Sequence, residues 1–237
     1  MASFDDLLSL QNHDSVADRL RHRRTILPER AELQSRRAAY DDLERRRAEV
    51  AERRDAELRE ERRLDDEIKN LEAKAKAEDT RMYSGTVSSP RELQAMQADI
   101  DQLRRQARER EDQELEVMER REALDAEVAE LEAAQASLVA EMNALQAAIE
   151  QQEAEIDAEL AVEEAARAAL VPSIPESTLR LYEQVRAGNR GIGAARLVGM
   201  NCQACHLALP ATEVDRIRHL SPDELARCEH CGAILVR

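Results

Sequence analysis

Apolar residues recur at spacings of three and four along most of the first 170 positions, with charged residues between them. The most regular run extends from Leu93 to Ile156, well beyond the three or four heptads that indicate a coiled coil. A patchier run extends from Leu33 to Leu71, where Arg54 and Glu61 occupy expected core positions. The pattern therefore predicts two long amphipathic helices, the first with a weaker apolar seam than the second.

Turn-forming residues divide this helical region. A first helical stretch, from Phe4 to Arg24, is interrupted near 25–28 by a proline, which is disruptive beyond the first turn of a helix and predicts a kink. Residues 83–90 contain Ser, Gly and Pro and hold the only clear turn chemistry before residue 170. We therefore expect residues 1–171 to form one coiled-coil helical hairpin with its tip at 83–90.

Charge favours pairing of the second long helix with the first rather than with another copy of itself. The formal net charge is −15, and thirteen Asp and Glu but no Lys or Arg lie between Arg121 and Arg167. A fold point near residue 86 places this acidic stretch opposite the arginines clustered within residues 8–50. Opposite charges along helix flanks select the partner and the orientation, although each exposed pair contributes under about 1 kcal/mol. The sequence therefore predicts an intramolecular antiparallel hairpin.

Composition narrows the class of protein further. Charged residues make up 36% of the chain and aromatic residues 2%, which excludes a large globular core and is typical of coiled coils. No apolar run reaches the roughly 20 residues that span a bilayer. The N-terminus lacks the basic and apolar regions of a signal peptide. We therefore expect a cytoplasmic protein, in which paired cysteines favour metal ligation over disulfides.

The region after residue 171 consists of shorter elements. A short helix is expected from Glu176 to Arg186, followed by a glycine-rich and flexible connector, so that residues 172–193 link the hairpin to a terminal module. That module, residues 194–237, shows strand-like patterns. These patterns cover residues 194–200, 206–210 and 233–236, with a polar segment before the last one. The sequence thus predicts a mostly α protein with a small C-terminal β module.

All four cysteines of the chain lie in this module, as two C-x-x-C pairs: Cys202, Cys205, Cys228 and Cys231. Each pair can hold a metal from one tight turn, and two pairs complete the four-thiolate tetrahedron that Zn²⁺ prefers. A module of this size cannot build a hydrophobic core without a staple. A structural zinc ion can supply on the order of 10 kcal/mol of folding free energy. We predict a zinc ribbon with one structural ion bound by these cysteines.

Other interpretations of the cysteines are weaker. Cys202 to His206 matches the C-x-x-C-H string of c-type haem attachment, but this leaves the second pair unexplained. A redox dithiol needs a thioredoxin-like strand and helix, and a catalytic zinc keeps an open position with three protein ligands. His206 and His230 are alternative ligands, and we expect both to point outward.

These features resemble a known family of bacterial coiled-coil hairpin proteins that end in a four-cysteine zinc ribbon. The residues that carry the resemblance are Tyr83-Ser84-Gly85 and Pro90-Arg91-Glu92-Leu93 at the tip, Leu181 to Arg186, Leu209-Pro210 between the cysteine pairs, and Gly232 with Ile234-Leu235 after them. The resemblance implies a kinked antiparallel hairpin capped by a zinc ribbon. It also implies roles in flagellar or type III secretion, where members bind an alternative sigma factor, export components or a messenger RNA.

No catalytic motif is present, since the sequence contains no P-loop, dinucleotide fingerprint, H-E-x-x-H or G-x-S-x-G. We therefore expect neither an enzyme nor a small-molecule substrate, and no membrane partner. The leading hypothesis is a non-enzymatic adaptor that binds protein partners through the ribbon and the coiled coil. Polar residues at seam positions, Arg54, Glu61, Arg110 and Glu114, motivate this hypothesis.

The alternative is a nucleic-acid-binding regulator, for RNA or DNA, that uses ribbon arginines such as Arg216 and Arg218. Residues 172–237 carry eight Arg against seven Asp and Glu, which is close to neutral. Only Tyr182 is available there for base stacking, and the acidic hairpin repels phosphates. The adaptor hypothesis is favoured for these reasons.

Overall fold

A computed structural model describes residues 4–221 and 224–237. Most of these residues are helical, and the predicted fold class is confirmed as a long helical hairpin with a small C-terminal strand region. Within these ranges, no helix is both long enough and apolar enough to cross a membrane. The helices are α1 (Phe4–Thr25), α2 (Pro28–Tyr83), α3 (Pro90–Leu170), α4 (Glu176–Gly188) and α5 (Ala211–His219).

Proline begins both long helices. Two residues separate the end of α1 from Pro28, which begins α2. Pro90 begins α3 after the turn that follows Tyr83. At the first position of a helix, the amide that proline lacks has no intrahelical partner, so proline is well tolerated there. Gly85 has a φ of +78°, a left-handed conformation that glycine adopts without steric cost. Local chemistry thus accounts for where α2 and α3 begin.

One compact unit of the chain comprises Leu33–Ala144. Within it α2 and α3 run antiparallel. Along the ion pairs that join them, residue numbers rise on α2 while they fall on α3. The pairs are Arg36–Glu141, Arg47–Glu132, Arg120–Glu57 and Arg110–Glu67. Part of the seam is a buried apolar cluster of Val50, Leu124, Val128 and Leu131. The heptad pattern therefore predicts both the helices and the packed faces of this unit.

Polar residues at seam positions of this unit pair across the helices. Glu61 and Arg121 are half-buried and lie 3.3 Å apart, in an ion pair without hydrogen-bond geometry. Arg54 lies 3.9 Å from Asp125 of the opposite helix. Gln135 is 7% exposed, and in the described part of the chain its Nε2 has no hydrogen-bond partner. Polar layers of this kind lower the stability of a coiled coil while favouring one register.

The other compact unit joins Met1–Glu32 to Leu145–Arg237. Here α1 packs antiparallel to the end of α3. Its ion pairs, Arg21–Glu164 and Arg24–Asp157, connect the arginine-rich stretch to the acidic stretch, as does the pair of Arg30 in α2 with Glu153. The charge-based prediction of an intramolecular antiparallel pairing agrees with these contacts.

The four short strands are β1 (Ala194–Val198), β2 (Asn201–Cys202), β3 (Ala226–Arg227) and β4 (Ile234–Val236). They form one sheet in the order β2-β1-β4-β3. β1 pairs antiparallel with β2 and parallel with β4, and β4 pairs antiparallel with β3. The prediction of a strand over 206–210 is wrong. This segment makes one isolated β-bridge, between Ala208 and Asn201 of β2.

Helix α5 lies in the segment for which the sequence analysis predicted a polar stretch and no helix or strand. It contributes Val214 and Ile217, 3% and 0% exposed, to an apolar cluster that also contains Leu209, Cys202 and Cys228. The ribbon therefore has a small core of its own, built around two of the cysteines.

The connector before β1 is fixed, so the expectation of a flexible segment is wrong. Gln11 of α1 accepts hydrogen bonds from the amides of Gly193 at 2.6 Å and Ala194 at 3.2 Å. Its side-chain amide donates to the carbonyl of Gly191 at 2.9 Å. One side chain thus holds two positions of the connector backbone and the first residue of β1.

Candidate metal centre

The four cysteine sulfurs meet between two tight turns of the ribbon. All four Sγ atoms lie within 4.8 Å of one another. The Sγ atoms of Cys202 and Cys231 are 3.9 Å apart, and those of Cys205 and Cys228 are 3.8 Å apart. A tetrahedral site with Zn–S bonds of about 2.3 Å has edges of about 3.8 Å. The donor set and its spacing therefore fit Zn²⁺.

The first turn follows β2. The amide of His206 donates to the carbonyl of Cys202 at 2.8 Å, and the amide of Cys202 donates to the carbonyl of Leu207 at 3.1 Å. His206, directly after Cys205, has a φ of +61°, which is uncommon for a residue other than glycine. The backbone reverses at this residue and brings Cys205 back beside Cys202.

The second turn repeats the same hydrogen-bond pattern. The amide of Gly232 donates to the carbonyl of Cys228 at 2.8 Å, and the amide of Cys228 donates to the carbonyl of Ala233 at 2.9 Å. Gly232, directly after Cys231, has a φ of +75°. The two cysteine pairs are therefore held by equivalent backbone geometry, which explains why each pair is spaced as C-x-x-C.

Burial and backbone hydrogen bonding shift the thiol pKa values in opposite directions. Burial raises the pKa of Cys202 and raises that of Cys231 to about 12. A hydrogen bond from the backbone of Leu207 lowers the pKa of Cys205. Because zinc binds thiolates, its binding must displace the protons that the buried thiols hold at neutral pH.

The two histidines near the cysteines are exposed and stand outside the sulfur cluster. His206 follows the first pair and His230 lies between Cys228 and Cys231. Their exposure agrees with the expectation that both point outward.

Comparison with known proteins agrees with this geometry. Residues 10–190 match the CT398-like coiled coil hairpin domain, and residues 201–235 match the C4-type zinc ribbon domain. The chain belongs to the CT398-like coiled-coil hairpin family. The family resemblance predicted from the sequence is thereby confirmed, and the ribbon carries one structural zinc ion.

Relatives of this chain match along almost its whole length. Protein Rv2229c of Mycobacterium tuberculosis is 35% identical over 234 residues, which cover 98% of this chain and 94% of that protein. A structure from Mycobacterium smegmatis is 32% identical, with a TM-score of 0.68, and the match covers 98% of this chain and 97% of that one. CT398 from Chlamydia trachomatis is 19% identical, with the same TM-score and coverage of 98% and 95%. The likeness to CT398 shows a shared fold.

Residues that tie α1 to α3, α4 and the connector were missed from the sequence. Asp14 is 3% exposed and accepts hydrogen bonds from Arg167 Nε at 2.8 Å and from the Tyr182 hydroxyl at 2.7 Å. Gln11 and Asp14 lie on the same face of α1 as the buried Leu7 and Leu10. Two polar residues on an otherwise apolar helix face were the signal that could have identified them.

Proposed function

We propose that this chain is a non-enzymatic adaptor whose zinc ribbon binds a protein partner. The proposed ligands of its single structural zinc ion are the thiolates of Cys202, Cys205, Cys228 and Cys231. When bound, the ion cross-links the two turns. Four thiolate ligands complete a tetrahedral shell of the structural type. The ribbon surface around the first turn is then held in one conformation and can act as a docking surface.

The observation that carries this proposal is three exposed apolar side chains in the segments that flank the first zinc turn. Val198, Met200 and Leu207 are 52%, 44% and 51% exposed. Val198 pairs with Asn201 across the β1–β2 hairpin, and the carbonyl of Leu207 accepts the amide of Cys202. Single exposed apolar residues are ordinary, but three within ten residues around one turn are typical of an interaction site.

Charge around this docking surface favours apolar protein side chains over phosphates as the bound groups. No Asp or Glu occurs between Glu183 and Glu213, so apolar groups of a partner meet no carboxylate from this segment. The nearby Arg196 pairs with Asp5 at 3.3 Å. Phosphate binding relies on several available cations. The partner expected here presents apolar side chains from a folded protein or a peptide.

Of the two arginines named for nucleic-acid binding, Arg216 already has a carboxylate partner. It forms an ion pair with Glu213 at 2.5 Å, whereas Arg218 is exposed. Neutralised arginines contribute little to phosphate binding. The secretion-system partners that the family resemblance implies stay a prediction.

The test is affinity capture with the full chain and two variants. Leu207→Glu places a charge in the docking surface, whereas Val162→Glu places one at another exposed apolar residue, in α3. We expect the unsubstituted chain and Val162→Glu to capture the same protein and Leu207→Glu to lose it. Binding of the purified partner should then show the same order.

Two results would overturn the proposal. Capture of one protein equally by all three chains would place the binding surface elsewhere. Loss of the captured protein on nuclease treatment, together with a salt-dependent gel shift by the purified chain, would instead support the nucleic-acid alternative.

A further inference from the structure

We infer that zinc binding in the ribbon and docking of the N-terminal helix α1 are thermodynamically coupled, so that loss of the ion weakens the docking of α1. This coupling goes beyond the proposed docking function and does not depend on any partner. It rests on a continuous set of contacts that leads from the second zinc turn to α1. All of these contacts lie within one compact unit.

The first step is apolar packing by β4, the strand that follows the second zinc turn. Ile234 lies three residues after Cys231 and is fully buried. It belongs to a cluster with Leu7 and Leu10 of α1, which are 1% and 0% exposed. The position of Cys231 therefore determines whether Ile234 can cover this face of α1.

The second step is a hydrogen-bond relay through the connector. The amide of Ile234 donates to the carbonyl of Gly193 at 2.9 Å, and the amide of Gly193 donates to Gln11 Oε1 at 2.6 Å. The backbone of β4 is thus linked to a side chain of α1 through one intervening residue. Gln11 is 7% exposed, so its polar atoms depend on these partners rather than on water.

The third step is the dependence of β4 on zinc. β3 and β4 contain two and three residues, too few to hold a register without further support. Bound zinc supplies this support, because it fixes Cys228 and Cys231 to the first turn. Without it, the segment that carries Ile234 loses its anchor, and Leu7, Leu10 and Gln11 lose the part of their cover that Ile234 and Gly193 supply.

Coupling between two equilibria is reciprocal, which gives the inference two independent tests. If zinc favours docking of α1 by some factor, then docking of α1 favours zinc binding by the same factor, and a variant whose α1 is undocked must lose that factor in zinc affinity. Gln11→Ala removes the relay, whereas Asn12→Ala changes the adjacent and exposed residue of the same helix. These two variants of the full chain form a matched pair.

The first experiment measures zinc affinity by competition with a chromophoric chelator. We expect Gln11→Ala to bind zinc at least about 5-fold more weakly than the unsubstituted chain, the lower end of typical coupling factors. Asn12→Ala should bind as the unsubstituted chain does. Equal zinc affinity for Gln11→Ala and the unsubstituted chain would overturn the inference.

The second experiment uses the unsubstituted chain, so it decides the question even if Gln11→Ala fails to fold. Hydrogen exchange is followed with zinc bound and after chelation. Amides of residues 7–20 should lose protection on chelation, while those of 124–131, in the other unit, should keep theirs. Unchanged protection of residues 7–20 after complete zinc removal would overturn the inference.

Discussion

The hydroxyl of Tyr182 donates a 2.7 Å hydrogen bond to the carboxylate of Asp14, and the two side chains are 0% and 3% exposed. This bond joins α4 to α1. Arg167 of α3 donates to the other carboxylate oxygen at 2.8 Å, so three helices meet at one buried acid. Burial raises the pKa of Tyr182, so the hydroxyl, which is protonated at neutral pH, remains a donor in alkaline solution as well.

Substitution of Tyr182 by Phe should therefore destabilise the unit that contains the ribbon. The change keeps the ring but leaves one buried carboxylate oxygen short of a donor, which costs about 1–3 kcal/mol. Urea unfolding measures the loss. Tyr83→Phe is the control, since Tyr83 is 77% exposed and its substitution should leave stability unchanged. Equal stability of both variants would mean that the buried bond contributes nothing net.

Gly193→Ala should also destabilise this unit, for a steric reason. A Cβ atom at residue 193 would lie 2.5 Å from the Tyr182 ring and 2.8 Å from its carbonyl oxygen. Relief of this overlap requires a shift of the packed helix α4, and overpacking of this kind costs about 1–3 kcal/mol. Gly188→Ala is the matched control, because no atom lies within 4 Å of its Cβ position. Thermal unfolding should show a lower Tm for Gly193→Ala alone.

Cys228→Ser should unfold the ribbon while most of the helical signal persists. Loss of one proposed ligand removes the staple that links the two turns, whereas α2 and α3 keep their apolar seam and ion pairs. Circular dichroism at 222 nm should change little, and limited proteolysis should cut within residues 194–237. Protease resistance of the ribbon after the metal is stripped from the unsubstituted chain would contradict the zinc-staple account.

Zinc binding should weaken as the pH falls. Protons compete with zinc for the thiolates, and the raised pKa values of Cys202 and Cys231 mean that at least these two thiols are protonated in the metal-free ribbon near pH 7. Release of two protons per ion makes the affinity fall about 100-fold for each unit of decreasing pH. Chelator competition between pH 6 and pH 8 measures this slope. An affinity independent of pH would show that the thiols are already ionised without metal.

The sequence was sufficient where the governing pattern is periodic or local. Heptad spacing predicted the long helices, and charge segregation predicted pairs such as Arg21 with Glu164. The cysteine spacing predicted the cluster because C-x-x-C turns position their own sulfurs. These features depend on residues close in the chain or on a repeated signal, and both can be recognised without coordinates.

Features that depend on a single distant contact were not predictable in this way. Helix α5 has only Val214 and Ile217 as buried residues, too few to produce a recognisable period. Gln11 contacts Gly193 across more than 180 positions, and nothing local marks that pairing. The glycine-rich connector was expected to be flexible for the same reason, because its hydrogen bonds to Gln11 of α1 leave no signal in its own sequence.

Contact between Leu7 and Ile234 in one cluster has a consequence for biosynthesis. The first helix leaves the ribosome more than 200 residues before the strand that covers it is made. During that interval the apolar face of this helix has no cover from the ribbon, even if the helices of the hairpin have already packed together. A chain interrupted before β4 therefore keeps part of the apolar face of α1 exposed, which marks it as incomplete to the cell's chaperones and proteases.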